Sequence, residues 1–219
     1  MAKTWKDNGL TIVLILMFIA SIIGQFLTGW IVENQDLARH GEAKIALSEF
    51  LSNPLFISTV FENWESEFLQ MATFVLLTAC LVQRGSAESQ DPDTPPRDTG
   101  LATKGKQAGA PAMLRWGRTA RELYANSLGI ALAILFVLSF ILHWIFSARL
   151  AAEEAASHGE TGPTLLEHLA SGEFWFESFQ NWQSEFLATA ALVILSIVLR
   201  FRGSPESKHV NASNSETGR

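Results

Sequence analysis

Glu62-Asn63-Trp64-Glu65-Ser66-Glu67-Phe68 returns as Gln180-Asn181-Trp182-Gln183-Ser184-Glu185-Phe186, 118 residues further along the chain. The same ungapped shift carries Asn8 to Asn126, Phe18 to Phe136, Ser21 to Ser139, His40-Gly41-Glu42 to His158-Gly159-Glu160, and Phe56 to Phe174. It also carries Arg84-Gly85-Ser86-Ala87-Glu88-Ser89 to Arg202-Gly203-Ser204-Pro205-Glu206-Ser207. A fixed offset of this kind governs the rest of the reading, because each segment has to make sense together with its twin. The chain reads as one unit written twice.

Of 219 residues, 48% are hydrophobic and 17% charged, and the apolar ones gather in four blocks. Leu10–Val32 and Leu128–Phe146 hold no ionised side chain and match the ~20 residues that cross ~30 Å of hydrocarbon as a helix. Phe68–Val82 and Phe186–Leu199 supply only ~20–23 Å, so their helices are predicted to begin near Phe61 and Phe179. The predicted fold is an all-α membrane protein with four transmembrane helices, built as two parallel-oriented helical-hairpin repeats. Short interfacial helices are expected in the outer loops, near Ala43–Phe50 and Thr164–Leu169. The division that follows is a first repeat at 1–89, a flexible linker at 90–120 ending in a basic amphipathic segment, a second repeat at 121–207 and a disordered tail at 208–219. Lys3 and Lys6 before an apolar run also suit a signal peptide, but the run is long and its twin lies mid-chain, which favours retention. Cys80 is the only cysteine, so no intramolecular disulfide forms.

Basic residues near span ends set topology. Lys3 and Lys6, the cluster Arg84, Arg97, Lys104, Lys106, Arg115, Arg118 and Arg121, and then Arg200, Arg202, Lys208 and Arg219 occupy three regions expected in the cytoplasm. The other two connections are rich in carboxylates and are expected outside. Both termini are therefore predicted to be cytoplasmic, in a bacterial inner membrane. Trp30, Trp64, Trp144 and Trp182 fall at the predicted outer boundary, where indole rings favour the headgroup level, and Arg84 and Arg202 suit inner anchors. Arg115, Arg118 and Arg121, interleaved with Trp116, Leu123 and Tyr124, form a basic amphipathic stretch suited to anionic lipid.

The residues that carry chemical interest are polar groups placed at membrane depth, where ionisable side chains are costly and face a bundle interior or water. Helical spacing puts Asn63, Ser66, Glu67 and Gln70 on one face and Asn181, Ser184 and Glu185 on its counterpart. Gln25 and its twin His143 lie at nearly the same depth. The candidate polar layer is therefore Gln25, Asn63, Glu67, His143, Asn181 and Glu185, readable either as a proton or cation site or as a wet polar collar. His40, Glu42, His158, Glu160 and His168 read as solvated loop residues, since His-Gly-Glu is no ligand motif. There is no phosphate-cradling loop, nucleophile elbow, paired metal histidines or cysteine pair, so no catalytic residue, metal, cofactor or nucleic-acid role is predicted.

Asp7-Asn8-Gly9-Leu10, Gln25, the Phe61–Met71 segment and Gln83-Arg84-Gly85-Ser86-Ala87-Glu88-Ser89 together resemble a family of small bacterial membrane proteins described only as a domain of unknown function. The resemblance covers both repeats and implies no activity. The chain departs from that pattern at Ala87, where the family tends to carry proline as at Pro205. It also has Gln180 and Gln183 in place of Glu62 and Glu65. Two functions are open on these residues: an oligomeric ion- or proton-conducting or envelope-sensing protein using the Glu/Asn layer, or a non-transporting scaffold that recruits a cytoplasmic partner or anionic lipid. A homo-oligomer is expected, because four helices leave little room for a pore in one chain.

Overall fold

Asn53-Pro54 is a helix start written in two residues: the Asn53 side chain accepts from the Leu55 amide at 2.8 Å, and Pro54 occupies a first-turn position that needs no amide hydrogen. Ser171 does the same 118 residues later, accepting from Phe174 at 3.2 Å. The computed structural model describes residues 2–93 and 116–218, and within them all regular structure is helical. In order these are α1 (Ala2–Arg39), α2 (Leu47–Phe50), α3 (Pro54–Cys80), α4 (Arg118–Ala125), α5 (Ser127–Ser157), α6 (Leu165–Leu169) and α7 (Gly172–Val198). The ends of α3 advance by 118 residues to the ends of α7, and the C-termini of α1 and α5 differ by the same interval. Both α3 and α7 begin two turns before the Phe61 and Phe179 starts predicted from hydrophobicity, because the caps and not the apolar residues set the boundary.

Among the described residues three helices, α1, α5 and α7, are long and apolar enough to cross a membrane, which corrects the four-span prediction. The difference lies in α3. Glu62, Asn63, Glu65, Glu67 and Gln70 crowd its middle, whereas α7 has Gln180, Gln183 and Ala188 at three of the matching positions. Both helices stop at the same point, with Leu81 at φ −117°, ψ 151° and Leu199 at φ −96°, ψ 155°, so the polar side chains alone make the difference. Instead α3 is the helix on which the others are organised, packed chiefly on α5 and then on α7.

Side-chain pairs give the directions. Phe18–Trp64, Gln25–Thr59 and Phe26–Phe56 run α1 antiparallel to α3, and Phe136–Trp182, Phe140–Phe174 and Ser147–Glu177 do so for α5 and α7. Glu65–Trp182, Gln70–Thr189 and Ser86–Ser196 advance together, so α3 and α7 are parallel. Large apolar side chains such as Leu10, Leu128 and Leu187 stand uncovered on the outside, a surface that is stable where lipid covers it. α1 and α5 end alike, with Gly41 and Gly159 both at φ 74°. The next amides, of Glu42 and Glu160, reach back to Leu37 and Ala155 at 2.8 and 2.9 Å. This left-handed stop is open to glycine at little cost.

The Arg-Gly-Ser-x-Glu-Ser segments lie beyond the helix ends, each as a closed loop. Ser89 Oγ accepts from the Gln83 amide at 2.8 Å and Ser207 Oγ from Phe201 at 2.9 Å. Arg84 forms a forked pair with Asp93 at 2.7 and 3.2 Å. Residues 208–218, expected to lack fixed structure, run back to the first loop: Gly85 donates to Thr217 at 2.9 Å and Gly218 to Ser86 at 2.9 Å. The Lys208 ammonium donates to the carbonyls of Ser213, Asn214 and Glu216 at 2.8–3.2 Å. Of the basic amphipathic stretch, Arg118 and Arg121 lie on α4, while Arg115 and the linker from 94 to 115 lie outside the described residues.

Candidate functional site

Ser139, His143 and Ser147 recur every fourth residue of α5 as a polar stripe, and all three are buried. The stripe faces α3 and α7. From α3 comes Glu65, fully buried, and from α7 come Glu177 and Trp182. His143 is itself inaccessible, and its Nδ1 donates to Glu65 Oε2 at 2.9 Å. The other oxygen of Glu65 accepts from Trp182 Nε1 at 3.0 Å. His143 Nε2 lies 3.4 Å from Glu177 Oε2 without forming an aligned hydrogen bond. One imidazole thus sits between two carboxylates contributed by two different helices.

The chain of contacts continues toward α6. Ser147 Oγ donates to Glu177 Oε2 at 3.0 Å, and because a hydroxyl has one proton, His168 Nε2 must be the donor in its 2.8 Å contact with Ser147. Phe174, with no exposed surface, stacks on His143 with centroids 5.0 Å apart and meets His168 edge-on at 5.7 Å. On the other side, Asn181 donates to Glu62. His168 is carried by α6, which the Thr164–Glu167 capping box begins. Burial holds its pKa below the usual histidine value, while the Glu177 carboxylate pulls the other way. The hydrogen bonds to Thr164 hold the exposed Glu167 carboxyl below its ordinary range.

The two protonation states of His143 differ in what they present to Glu177. With Nδ1–H committed to Glu65, a neutral His143 would turn its Nε2 lone pair toward the Glu177 oxygen; a proton between them converts that opposition into a second ion pair. Trp182 donates to Glu65 and Ser147 to Glu177, which is 32% exposed, while Asn181 serves the neighbouring Glu62.

The residues expected to form a polar layer separate into three groups. His143 is the centre of the cluster, and Asn181 borders it through Glu62. Gln25 and Asn63 instead meet at Thr59: Gln25 donates to its hydroxyl at 3.3 Å and Asn63 to its carbonyl at 2.7 Å. Glu67 is exposed, and Glu185 contributes its backbone carbonyl, which accepts from Gln70 at 3.0 Å. Glu65, Glu177, Ser147 and His168 were not among the expected residues. Trp30 donates to Ile45 at 3.0 Å and Trp144 to Leu165 at 2.8 Å, tying the connections to the helices. Trp64 packs between Phe18 and Phe61. Among the described residues no cluster of histidine, cysteine and carboxylate groups is arranged to hold a metal ion.

A family model described as a domain of unknown function, DUF6766, matches residues 1–219. No curated protein and no solved structure matches the chain.

Proposed function

Since the chain belongs to the DUF6766 family, whose description carries no activity, we propose from the geometry that it is a membrane protein that senses protons on one side of a bilayer. The observation that carries this reading is His143, wholly buried, with a carboxylate from α3 at one ring nitrogen and one from α7 at the other. A proton gained or lost there changes the attraction holding three helices together. His168 and Ser147 lead from the α6 end to the cluster, which makes that end the sensing side.

Sensing is favoured over conduction by what lies beyond Gln70 and Thr189. From there to Thr78 is about 12 Å of helix. That interval is lined by Phe74, Leu77, Ala190 and Val193 around a cavity of about 470 Å³. Thr73 adds a hydroxyl there, but the lining of this interval holds no carboxylate or imidazole to pass a proton on. α4 adds a second contact with the membrane: Arg118 and Arg121 beside exposed Trp116 and Leu123 suit an anionic lipid surface.

The test uses the full chain in lipid nanodiscs, following tryptophan fluorescence against pH. Trp182, bonded to Glu65, reports the cluster, so the wild type shows a titration that His143→Gln removes. In liposomes loaded with a pH dye, the protein should pass no more protons than bare lipid. A flux above that level, or a fluorescence titration identical in both proteins, refutes the sensing role.

A further inference from the structure

The face through which α3 joins the second half of the molecule has a twin on α7 that this chain leaves uncovered. On α3, Glu62 meets Asn181, Glu65 meets His143 and Trp182, and Gln70 meets Thr189. The positions 118 residues after Glu62 and Glu65 are Gln180 and Gln183, both exposed. They share their helix with Phe176 and Leu187, each 68% exposed. The receiving groups have twins too. The same interval before His143, Asn181 and Trp182 stand Gln25, Asn63 and Trp64. Asn63 is exposed, and among the described residues the Trp64 indole N–H has no hydrogen-bond partner. α1 and α7 make no contact within the chain comparable to that between α5 and α3.

We propose that a second copy of this chain occupies that face: the Gln180/Gln183 side of α7 docks on the Gln25/Asn63/Trp64 side of α1 and α3 in the next copy. The junction between copies then repeats the junction inside each chain. The polar chemistry is complementary at the twins of Glu62 and Glu65, and the Gln70–Thr189 contact becomes an apolar one between Ala188 and Met71. The Gln183 carbonyl accepts from Trp64 as Glu65 does from Trp182, its amide donates to the Gln25 carbonyl, and Gln180 accepts from Asn63 as Glu62 does from Asn181. Side-chain amides facing lipid have no partner there, so pairing between helices is favoured. Ser58 and Ala148, buried on α3 and α5, become Phe176 and Trp30, which gives the outer junction an aromatic pair where the inner one has small residues. Because two unlike faces meet, the assembly is head-to-tail and closes as a ring if the rotation allows.

Disulfide trapping in native membranes tests this directly. In a Cys80→Ala background, Gln25→Cys and Gln183→Cys are placed on separately tagged full-length chains and co-expressed. The mixture should trap a species of twice the 24.1 kDa chain mass, whereas either single variant alone should not. Native mass spectrometry of the unmodified protein in nanodiscs supplies a reading free of mutation and should show more than one chain. A single-chain mass with lipid alone, no trapped species in the mixture, or trapping by Gln183→Cys alone overturns the proposal. None of these readings depends on whether His143 senses protons.

Discussion

The two halves of the molecule solve the same packing problem with opposite chemistry. Between α1 and α3, Gln25 reaches Thr59, and Phe50 fills the space over Gly29, whose added Cβ would lie 3.0 Å from the ring. Between α5 and α7 the corresponding positions are His143 with Glu177, and His168 on Ser147. Gln25 and His143, Thr59 and Glu177, Gly29 and Ser147, and Phe50 and His168 are each 118 residues apart. The scaffold therefore does not demand ionisable groups at this site. Four positions turn a neutral amide contact into a titratable one, and the neutral half serves as an internal reference for the charged half.

The most severe way to break the comparison is His143→Gln, which writes the residue of the first half into the second. It leaves Glu65 and Glu177 without their cation, and removing one partner of a buried pair costs about 3–5 kcal/mol. Adding Glu65→Gln and Glu177→Thr in the same chain should restore most of that loss. Thermal unfolding in detergent of the single and triple variants measures both effects. An unharmed single variant would show that the cluster does not hold α3, α5 and α7 together.

A gentler test exchanges the second pair, Ser147→Gly with His168→Phe. Burial lowers the His168 pKa from 6.5. The folded state thus prefers the neutral ring, and the contribution of this group is complete above pH 6.5 and lost as pH falls below it. The exchanged protein should lose less stability than the wild type between pH 6.5 and 5, when denaturation midpoints are compared at matched pH. The smallest effect concerns the short helices. α6 has both halves of its capping box, but α2 starts at Ala46, which lacks a hydroxyl, so only Glu49 reaches back, at 2.7 Å. Ala46→Thr should add about 1 kcal/mol or less, read from the same unfolding midpoints.

How far these contacts were visible beforehand depended on whether the signal was local. The offset, the long apolar helices α1, α5 and α7 and the glycine stops follow from residues adjacent in sequence. His143, singled out by its depth match with Gln25, lies between Glu65 and Glu177. Glu67 and the buried Glu65 are two positions apart, which on a helix is about 200° and so nearly the opposite side. Glu65 lies off the Asn63–Glu67–Gln70 face, and its replacement by Gln183 in the second half is the sequence signal that sets it apart. Glu177 was missed because the helix was begun at Phe179; the Ser171 cap, the twin of Asn53-Pro54, would have brought it in. His168 reads as a loop residue until the Thr164–Glu167 box is recognised as starting a helix that turns it inward. The convergence of α3, α5 and α7 on one imidazole is a tertiary fact that no single segment carries.

The Lys208 ammonium, saturated by three carbonyls and only 3% exposed, carries a consequence for handling the protein. Trypsin must take a free cationic side chain into an acidic specificity pocket. Limited digestion of the folded protein should therefore clip at exposed Arg202 well before Lys208, and the order of the two fragments in a time course reports whether the carboxyl-terminal strap is fastened.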